Sequence, residues 1–192
     1  KGARRMQQSQ ITRWCHEIMR SQAPEGGFYI DATMGKGKDT LFFCRLAGEL
    51  GHVLAFDIQQ EALRLTGRLL EEHGVRERAE LYLDRHEHMD RYAKPETVDA
   101  ICFNFGYLPG GDHAVATSAD TSVAAIKKGL GILKHGGMMS LCIYSGGDTG
   151  FEEKEEILRC LRGLPAQDYT VIVNEYYNRG NNPPMPVFIF KK

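Results

Sequence analysis

Residues 28–40 limit the possible folds more than any other stretch of the chain. The apolar run Phe28–Ile30 leads into Asp31-Ala-Thr-Met-Gly-Lys-Gly-Lys-Asp-Thr, which ends at Thr40. An extended run, an acidic residue, two glycines one residue apart and a helix-starting Asp-Thr pair describe a strand, a tight turn and a helix. Gly35 and Gly37 allow positive φ and let a ligand come close to the backbone. Asp39 or Thr40 is expected to cap the helix, which continues through Leu41–Ala47 to about Leu50. A turn of this kind grips a cofactor, and the rest of the chain must say which one.

Hydrophobic periodicity on either side alternates between strand and helix. An amphipathic helix is expected over Ile11–Ser21, with Ile11, Trp14, Cys15, Ile18 and Met19 on its packed side. Strands are expected at Phe28–Asp31, His52–Ile58, Ala79–Asp84, Val98–Asn104, Met138–Ser145, Tyr169–Tyr177 and Val187–Lys191. Further helices are expected at Gln60–His73, Thr121–Lys134 and Phe151–Arg162. His86–Tyr92 reads as a polar turn. Phe105–Asp120, rich in Gly, Pro, Asp and Thr, reads as a long loop of the kind that carries function. The last two strands are joined only by Asn178–Pro186 and should pair antiparallel. No repeat, low-complexity tract or linker interrupts the pattern. The expected fold class is therefore α/β: one domain over residues 1–192, with residues 1–22 a tail and helix packed on it. Its doubly wound, Rossmann-like sheet has seven strands, mostly parallel with one antiparallel strand.

Composition narrows the function classes. A formal net charge of −1 over 192 residues argues against wholesale electrostatic coating of nucleic acid, though not against a local basic surface. The five cysteines (15, 44, 102, 142 and 160) form no C-x-x-C pair, which points to buried free thiols in a reducing compartment rather than disulfides or zinc. No apolar stretch approaches the ~18–20 residues of a membrane span. Lys1–Gln10 is basic and polar with no apolar run behind it, unlike a signal peptide. A cytoplasmic protein is expected.

In open α/β sheets ligands bind beyond the carboxyl ends of the strands. Those ends carry Asp31 to Gly37, Asp57-Ile58-Gln59, Asp84-Arg85-His86, Asn104 to Pro109, and Tyr144 to Asp148. Asp57 lies about twenty residues beyond the glycine turn, the place from which a carboxylate reaches ribose hydroxyls. Its simpler reading is a cap on the helix starting at Gln60. A dinucleotide fingerprint would put glycine at position 40, where this chain has Thr40. Asp31 discriminates further, since a carboxylate ending strand 1 repels a pyrophosphate and attracts an α-ammonium. S-adenosyl-L-methionine has that ammonium and an adenosine ribose but no phosphate, so it fits both carboxylates. A P-loop does not fit the Gly37-Lys38-Asp39 sequence.

Several motifs carry a family resemblance. They are Asp31-Ala-Thr-Met-Gly-x-Gly-x-Asp-Thr, Ala55-Phe-Asp-Ile-Gln, Phe103-Asn-Phe-Gly-Tyr-Leu-Pro-Gly-Gly-Asp-His, Gly146-Gly-Asp-Thr-Gly-Phe-Glu-Glu-Lys-Glu and Asn182-Pro-Pro. Over roughly residues 10–191 the chain resembles the YtqB-like “putative rRNA methylase” family, which includes MnmM-type tRNA methyltransferases. The resemblance implies a class I methyltransferase fold, S-adenosyl-L-methionine as donor and an RNA nucleoside as acceptor. For the MnmM type the acceptor is the aminomethyl nitrogen of 5-aminomethyl-2-thiouridine at the tRNA wobble position. It implies donor-binding roles for Asp31, Ala32, Thr33, Gly35, Gly37, Asp39, Thr40, Asp57, Ile58, Gln59, Asp84, His86 and Asn104. Relatives tend to have Asn where this chain has Lys36, and Lys38 is variable, so the roles of both lysines stay open.

Asn104-Phe105-Gly106-Tyr107 has the spacing of the Asn-Pro-Pro-Tyr motif that amine-directed methyltransferases carry after strand 4. Methyl transfer is an in-line displacement on a sulfonium, so the enzyme chiefly aligns donor and nucleophile. The Asn104 side-chain oxygen and the Phe105 carbonyl can accept hydrogen bonds from an amine, and Tyr107 or Phe105 can stack on a base. The bland reading makes Asn104 a turn cap and the aromatics core. Asp112 and His113 are candidate proton acceptors, or simply turn formers. His86-Glu87-His88 is too sparse for a metal site, so none is expected. Tyr144, Asp148, Asn178, Asn182, Pro183 and Pro184 are expected to border the acceptor pocket. Lys1, Arg4, Arg5, Arg13, Lys36 and Lys38 are either a phosphate track or scattered surface cations.

Ribosomal RNA as acceptor, a donor-binding RNA module without catalysis, and a nucleotide-dependent oxidoreductase remain alternatives. The expected partner is RNA, tRNA first, with no membrane; a homodimer is left open.

Overall fold

The computed structural model describes residues 8–105, 118–144, 150–180 and 182–192, with the side chains of residues 8–10 excluded. In chain order the elements are α1 (Gln8–Gln22), β1 (Phe28–Asp31), α2 (Lys38–Ala47), β2 (His52–Asp57), α3 (Gln60–Glu72), β3 (Ala79–Leu83), β4 (Val98–Phe105), α4 (Ala119–Ile132), β5 (Leu133–Ile143), α5 (Gly150–Arg162), β6 (Tyr169–Val173) and β7 (Met185–Lys191). Short 3-10 turns occupy Arg76–Arg78 and His86–Arg91.

The seven strands form one sheet in the order β3-β2-β1-β4-β5-β7-β6. All neighbours pair parallel except those of β7, which runs antiparallel to both β5 and β6. The order reverses between β1 and β4. At that switch point helices leave to opposite faces of the sheet and open a crevice beyond the strand ends.

Strand residues alternate between two cores, as a pleat with period two requires. Ile30, Ile101, Phe103, Phe105, Leu141 and Ile189 face the side covered by α4 and α5. Tyr29, Ala100, Cys102, Cys142 and Phe188 face the side covered by α1, α2 and α3. The central strands are buried on both faces and read as near-continuous apolar runs for that reason. On the α1 side they are small (Ala100, Cys102, Ser140, Cys142), so that face has room for polar groups near the strand ends.

Several boundaries differ from the expected ones. Helix α2 stops at Ala47 because Gly48 takes φ +60° and its N–H bonds back to the Cys44 carbonyl. Its start is capped by neither Asp39 nor Thr40. Gly37 is the N-cap residue, in the left-handed region at φ +78°, and makes no side-chain cap. Helix α4 begins earlier than expected because Ser118 and Thr121 form a capping box. β5 also starts early: the chain enters the sheet at Leu133, shifts register opposite Val98–Ala100 and turns at Gly136, φ +78°. β6 ends at Val173, which leaves Tyr176 and Tyr177 beyond the strand. Trp14 is 42% exposed and meets Phe188 of the sheet edge-on, while Ile11, Cys15 and Met19 supply the buried stripe of α1.

Candidate active site

The end of β1 is built around a buried carboxylate. Asp31 is wholly enclosed. Its Oδ2 accepts from the Thr40 hydroxyl at 2.6 Å, and its Oδ1 from the Thr33 N–H at 3.2 Å and the Cys102 thiol at 3.7 Å. These bonds tie the first turn of α2 to β1 and β4, so Thr40 serves as a brace rather than a cap. Burial, followed by the nearby Asp39 charge, pushes the Asp31 carboxyl up to about 7. A carboxylate under that pressure, with a second carboxylate beside it, is suited to a cation. Of the two, Asp39 alone reaches the surface, and only in part.

The turn itself is held from β2. Asp57 Oδ2 accepts the Gly35 N–H at 3.0 Å and Oδ1 accepts the Gln59 N–H at 2.9 Å, while Gln59 is the N-cap residue of α3. Asp57 therefore supports both the glycine turn and the entry to α3, and each oxygen keeps a lone pair. Gly37 packs against α3 so closely that a Cβ there would lie 2.8 Å from the Thr66 hydroxyl. Ala32 continues the ladder by donating to the Cys102 carbonyl at 2.9 Å.

Two large apolar side chains stand exposed on the same edge: Ile58 (47%), just after β2, and Leu83 (52%), the last residue of β3. Asp57 and Leu83 are register partners, so the two exposed groups lie on neighbouring strands. Apolar faces beside a carboxylate that keeps free lone pairs suit a flat base. Leu83 escaped the sequence reading because it looks like an ordinary strand residue. Asp84 is heavily engaged, accepting from Arg85 N–H, His88 Nδ1 and Tyr92 Oη within 2.8 Å. The His88 bond chiefly holds its carboxyl down at about 2. His86 lies edge-on to Phe103 and Phe105, and its buried Nε2 has no hydrogen-bond partner among the described residues. Burial lowers the basicity of its imidazole.

At the end of β4, Asn104 is on the α1 side. Its N–H donates to the Thr33 hydroxyl and its Nδ2 to Asp39 Oδ2, both at 2.7 Å. A carboxylate only accepts, so the amide nitrogen must face Asp39 and the amide oxygen must face away. Phe105 is on the opposite side. Its ring is fully buried and stacks on Phe103 at 4.9 Å, so it is unavailable for stacking on a base. Period-two alternation from Phe103 was the signal that could have shown this. What Phe105 offers is its carbonyl, which accepts the Tyr144 N–H at 3.0 Å and retains a second lone pair.

A small cleft beside Asn104 is lined by Thr12, Cys15 and Met19 of α1 with Asp39, Cys102 and Ser140. Burial pushes the Cys15 and Cys142 thiols up to about 12, which keeps them protonated and inert. Tyr144 is half-buried and packs on this face, Asn178 and Asn182 are exposed, and Pro184 is buried as the chain enters β7. The candidates Tyr107, Asp112, His113 and Asp148 lie outside the described residues, as do Lys1, Arg4 and Arg5. Arg13 pairs with Glu17 at 4.0 Å; Lys36 and Lys38 are exposed. Among the described residues no group of three or more His, Cys, Asp or Glu is placed to hold a metal, and no helix is long and apolar enough to cross a membrane.

Residues 53–190 match the family described as “Putative rRNA methylase”. Over 191 residues the chain is 36% identical to the chloroplastic tRNA (mnm(5)s(2)U34)-methyltransferase of Arabidopsis thaliana, covering 94% of this chain and 69% of that protein. The structure of a “putative rRNA-methylase” from Clostridium thermocellum superposes with a TM-score of 0.91 at 39% identity, covering 94% of this chain and 97% of the other. A “putative methyltransferase” from Streptococcus mutans, in complex with SAH, superposes with a TM-score of 0.84 at 34% identity and the same coverage. The sheet order and these likenesses establish a class I methyltransferase fold.

Proposed function

The chain belongs to the “Putative rRNA methylase” family, and from that premise we propose that it is an S-adenosyl-L-methionine-dependent RNA N-methyltransferase. Its acceptor is the aminomethyl nitrogen of 5-aminomethyl-2-thiouridine at the tRNA wobble position. The observation that carries the amine reading is the Asn104 amide, turned by Asp39 so that its oxygen is left to accept. The named activity of the Arabidopsis thaliana relative supports the choice of tRNA.

The donor supplies an electrophilic methyl group on a sulfonium. Around it, Asp31 and Asp39 provide negative charge for the cationic methionine end. Ala32, Thr33, Gly35 and Gly37 form the turn that lets it approach the backbone. Asp57 takes the ribose, Gln59 and His86 border the base, and Ile58 and Leu83 cover the base with apolar surface. Asp84 holds the loop that carries His86. The residues present therefore fit the donor's charge pattern. On the acceptor side, the Asn104 oxygen and the Phe105 carbonyl take N–H bonds from the amine and aim its lone pair at the methyl carbon. Alignment of this kind is the main catalytic resource for an in-line displacement. Asp112 or His113 accepts the proton an alkylammonium loses before it attacks, and Tyr107 stacks on the base. Five free thiols, four of them buried, support a reducing, cytoplasmic setting.

The test incubates the protein with labelled donor and tRNA bearing or lacking the aminomethyl group. Label is expected only on the aminomethylated tRNA. Equal labelling of both, or labelling of ribosomal RNA instead, overturns the tRNA assignment. Asn104→Ala should lower kcat about 100-fold or more while leaving donor affinity within about threefold; near-normal turnover removes Asn104 from the mechanism.

A further inference from the structure

One polar contact of α1 is not explained by docking an amphipathic helix. His16 Nε2 lies 2.5 Å from Asp39 Oδ1, while Asn104 Nδ2 lies 2.7 Å from Asp39 Oδ2. A single carboxylate thus joins the N-terminal helix to the strand end that carries the acceptor-directed amide. His16 is 23 residues away from Asp39, and Asn104 is 65 residues away. The imidazole plane is held by Phe42, stacked at 4.1 Å and 5°, with the Arg20 guanidinium 5.4 Å from the same ring. Both polar partners are largely shielded, with side chains 18% and 14% exposed for His16 and Asp39.

From this geometry we infer that His16 is a positioning residue for methyl transfer: it holds Asp39 in the orientation that forces the Asn104 amide oxygen toward the acceptor nitrogen. The inference rests on the reading of this site as an amine methyltransferase centre. To donate, His16 must carry its proton on Nε2, and a carboxylate can return only acceptance. With one oxygen committed to His16, the other has a fixed direction, and Asn104 has one hydrogen-bonded orientation. Without His16, Asp39 is free to rotate in the small cleft beneath α1 and to turn away from the buried Asp31 charge. Asn104 then loses the partner that distinguishes its nitrogen from its oxygen. Thr12, Cys15 and Met19 of α1 line the same cleft.

Three variants test this. His16→Phe keeps an aromatic ring to stack on Phe42 but has no donor, His16→Gln restores an N–H donor, and Asn104→Ala removes the group to be positioned. His16→Phe is expected to lower kcat about 30-fold with the melting temperature nearly unchanged. His16→Gln should recover most of that loss. The double variant His16→Phe/Asn104→Ala should be no slower than Asn104→Ala alone, because the two residues act through one path. Losses that add in the double variant, or kcat within about twofold of wild type in His16→Phe, overturn the inference. A second readout needs no turnover: the Asn104 side-chain amide protons, followed by NMR, should exchange slowly with solvent in wild type and His16→Gln but rapidly in His16→Phe. Equal protection in all three overturns the positioning role. Wild-type protein that shows this protection pattern yet methylates no tRNA refutes the proposed acceptor and leaves the role of His16 standing.

Discussion

Asp31 shows how much a single side chain's surroundings decide. A carboxylate on a surface turn would titrate near 4, but here burial and the Asp39 charge raise it to about 7. Between those values the folded protein keeps a proton that the unfolded chain releases, so this group's contribution to stability falls as pH rises from about 4 to about 7. A cationic ligand favours the ionised form and reverses the preference. Affinity for S-adenosyl-L-methionine is therefore expected to rise between pH 5 and pH 7, and Asp31→Asn should flatten that rise; calorimetric titrations at several pH values check it. Asp31, Asp57 and Asn104 were legible in the sequence because each follows a recognisable strand and belongs to a compact motif. His16 was not. Its contact depends on where α1 lies, and nothing local to Thr12–Arg20 distinguishes it from a solvent-facing histidine. The division of labour between the two acidic residues was also invisible, since only packing shows that Asp31 is wholly enclosed while Asp39 keeps a small exposed edge.

At the scale of elements, the turn between β1 and α2 is the most demanding piece of backbone. Gly37 combines φ +78° with a site where an added Cβ would sit 2.8–3.0 Å from three atoms of Thr66. The left-handed conformation alone costs an L-residue roughly 1–2 kcal/mol, and the steric conflict with α3 adds to it. Gly37→Ala is expected to destabilise the fold by about 2–4 kcal/mol and to weaken donor binding, read by urea unfolding and calorimetry; a change under about 0.5 kcal/mol contradicts this packing argument. Element types and order followed from periodicity and punctuation. Boundaries shifted where a cap or register change overrode the local pattern, as at Gly48, at Ser118 and in β5 from Leu133 to Gly137.

For the whole molecule, α1 is the part whose status matters most, because it covers the α1–α2 face and bears His16. Met19 is almost completely buried in that core with Ile11 and Cys15. Met19→Ala is expected to cost about 2–4 kcal/mol. At about 2–4 °C per kcal/mol for a chain of this size, the melting temperature should fall by about 4–16 °C in one transition. A separate early transition, or no change, would mean that α1 docks independently of the rest. The same face explains the small residues of β4 and β5: Ala100, Cys102, Ser140 and Cys142 leave the space that Asp39, Asn104 and α1 fill.

The sequence by itself determined the alternation of strands and helices, the antiparallel final pair and the edge of the sheet that carries the candidate site. Those depend on hydrophobic period, glycine and proline punctuation and charge type, all of which are local. Only the tertiary structure decided that Phe105 faces the core while Asn104 faces α1, that Asp31 is sealed, and that Asp39 of α2 is shared between His16 of α1 and Asn104 of β4. Such pairings join residues tens of positions apart, and their partners are chosen by which faces pack together.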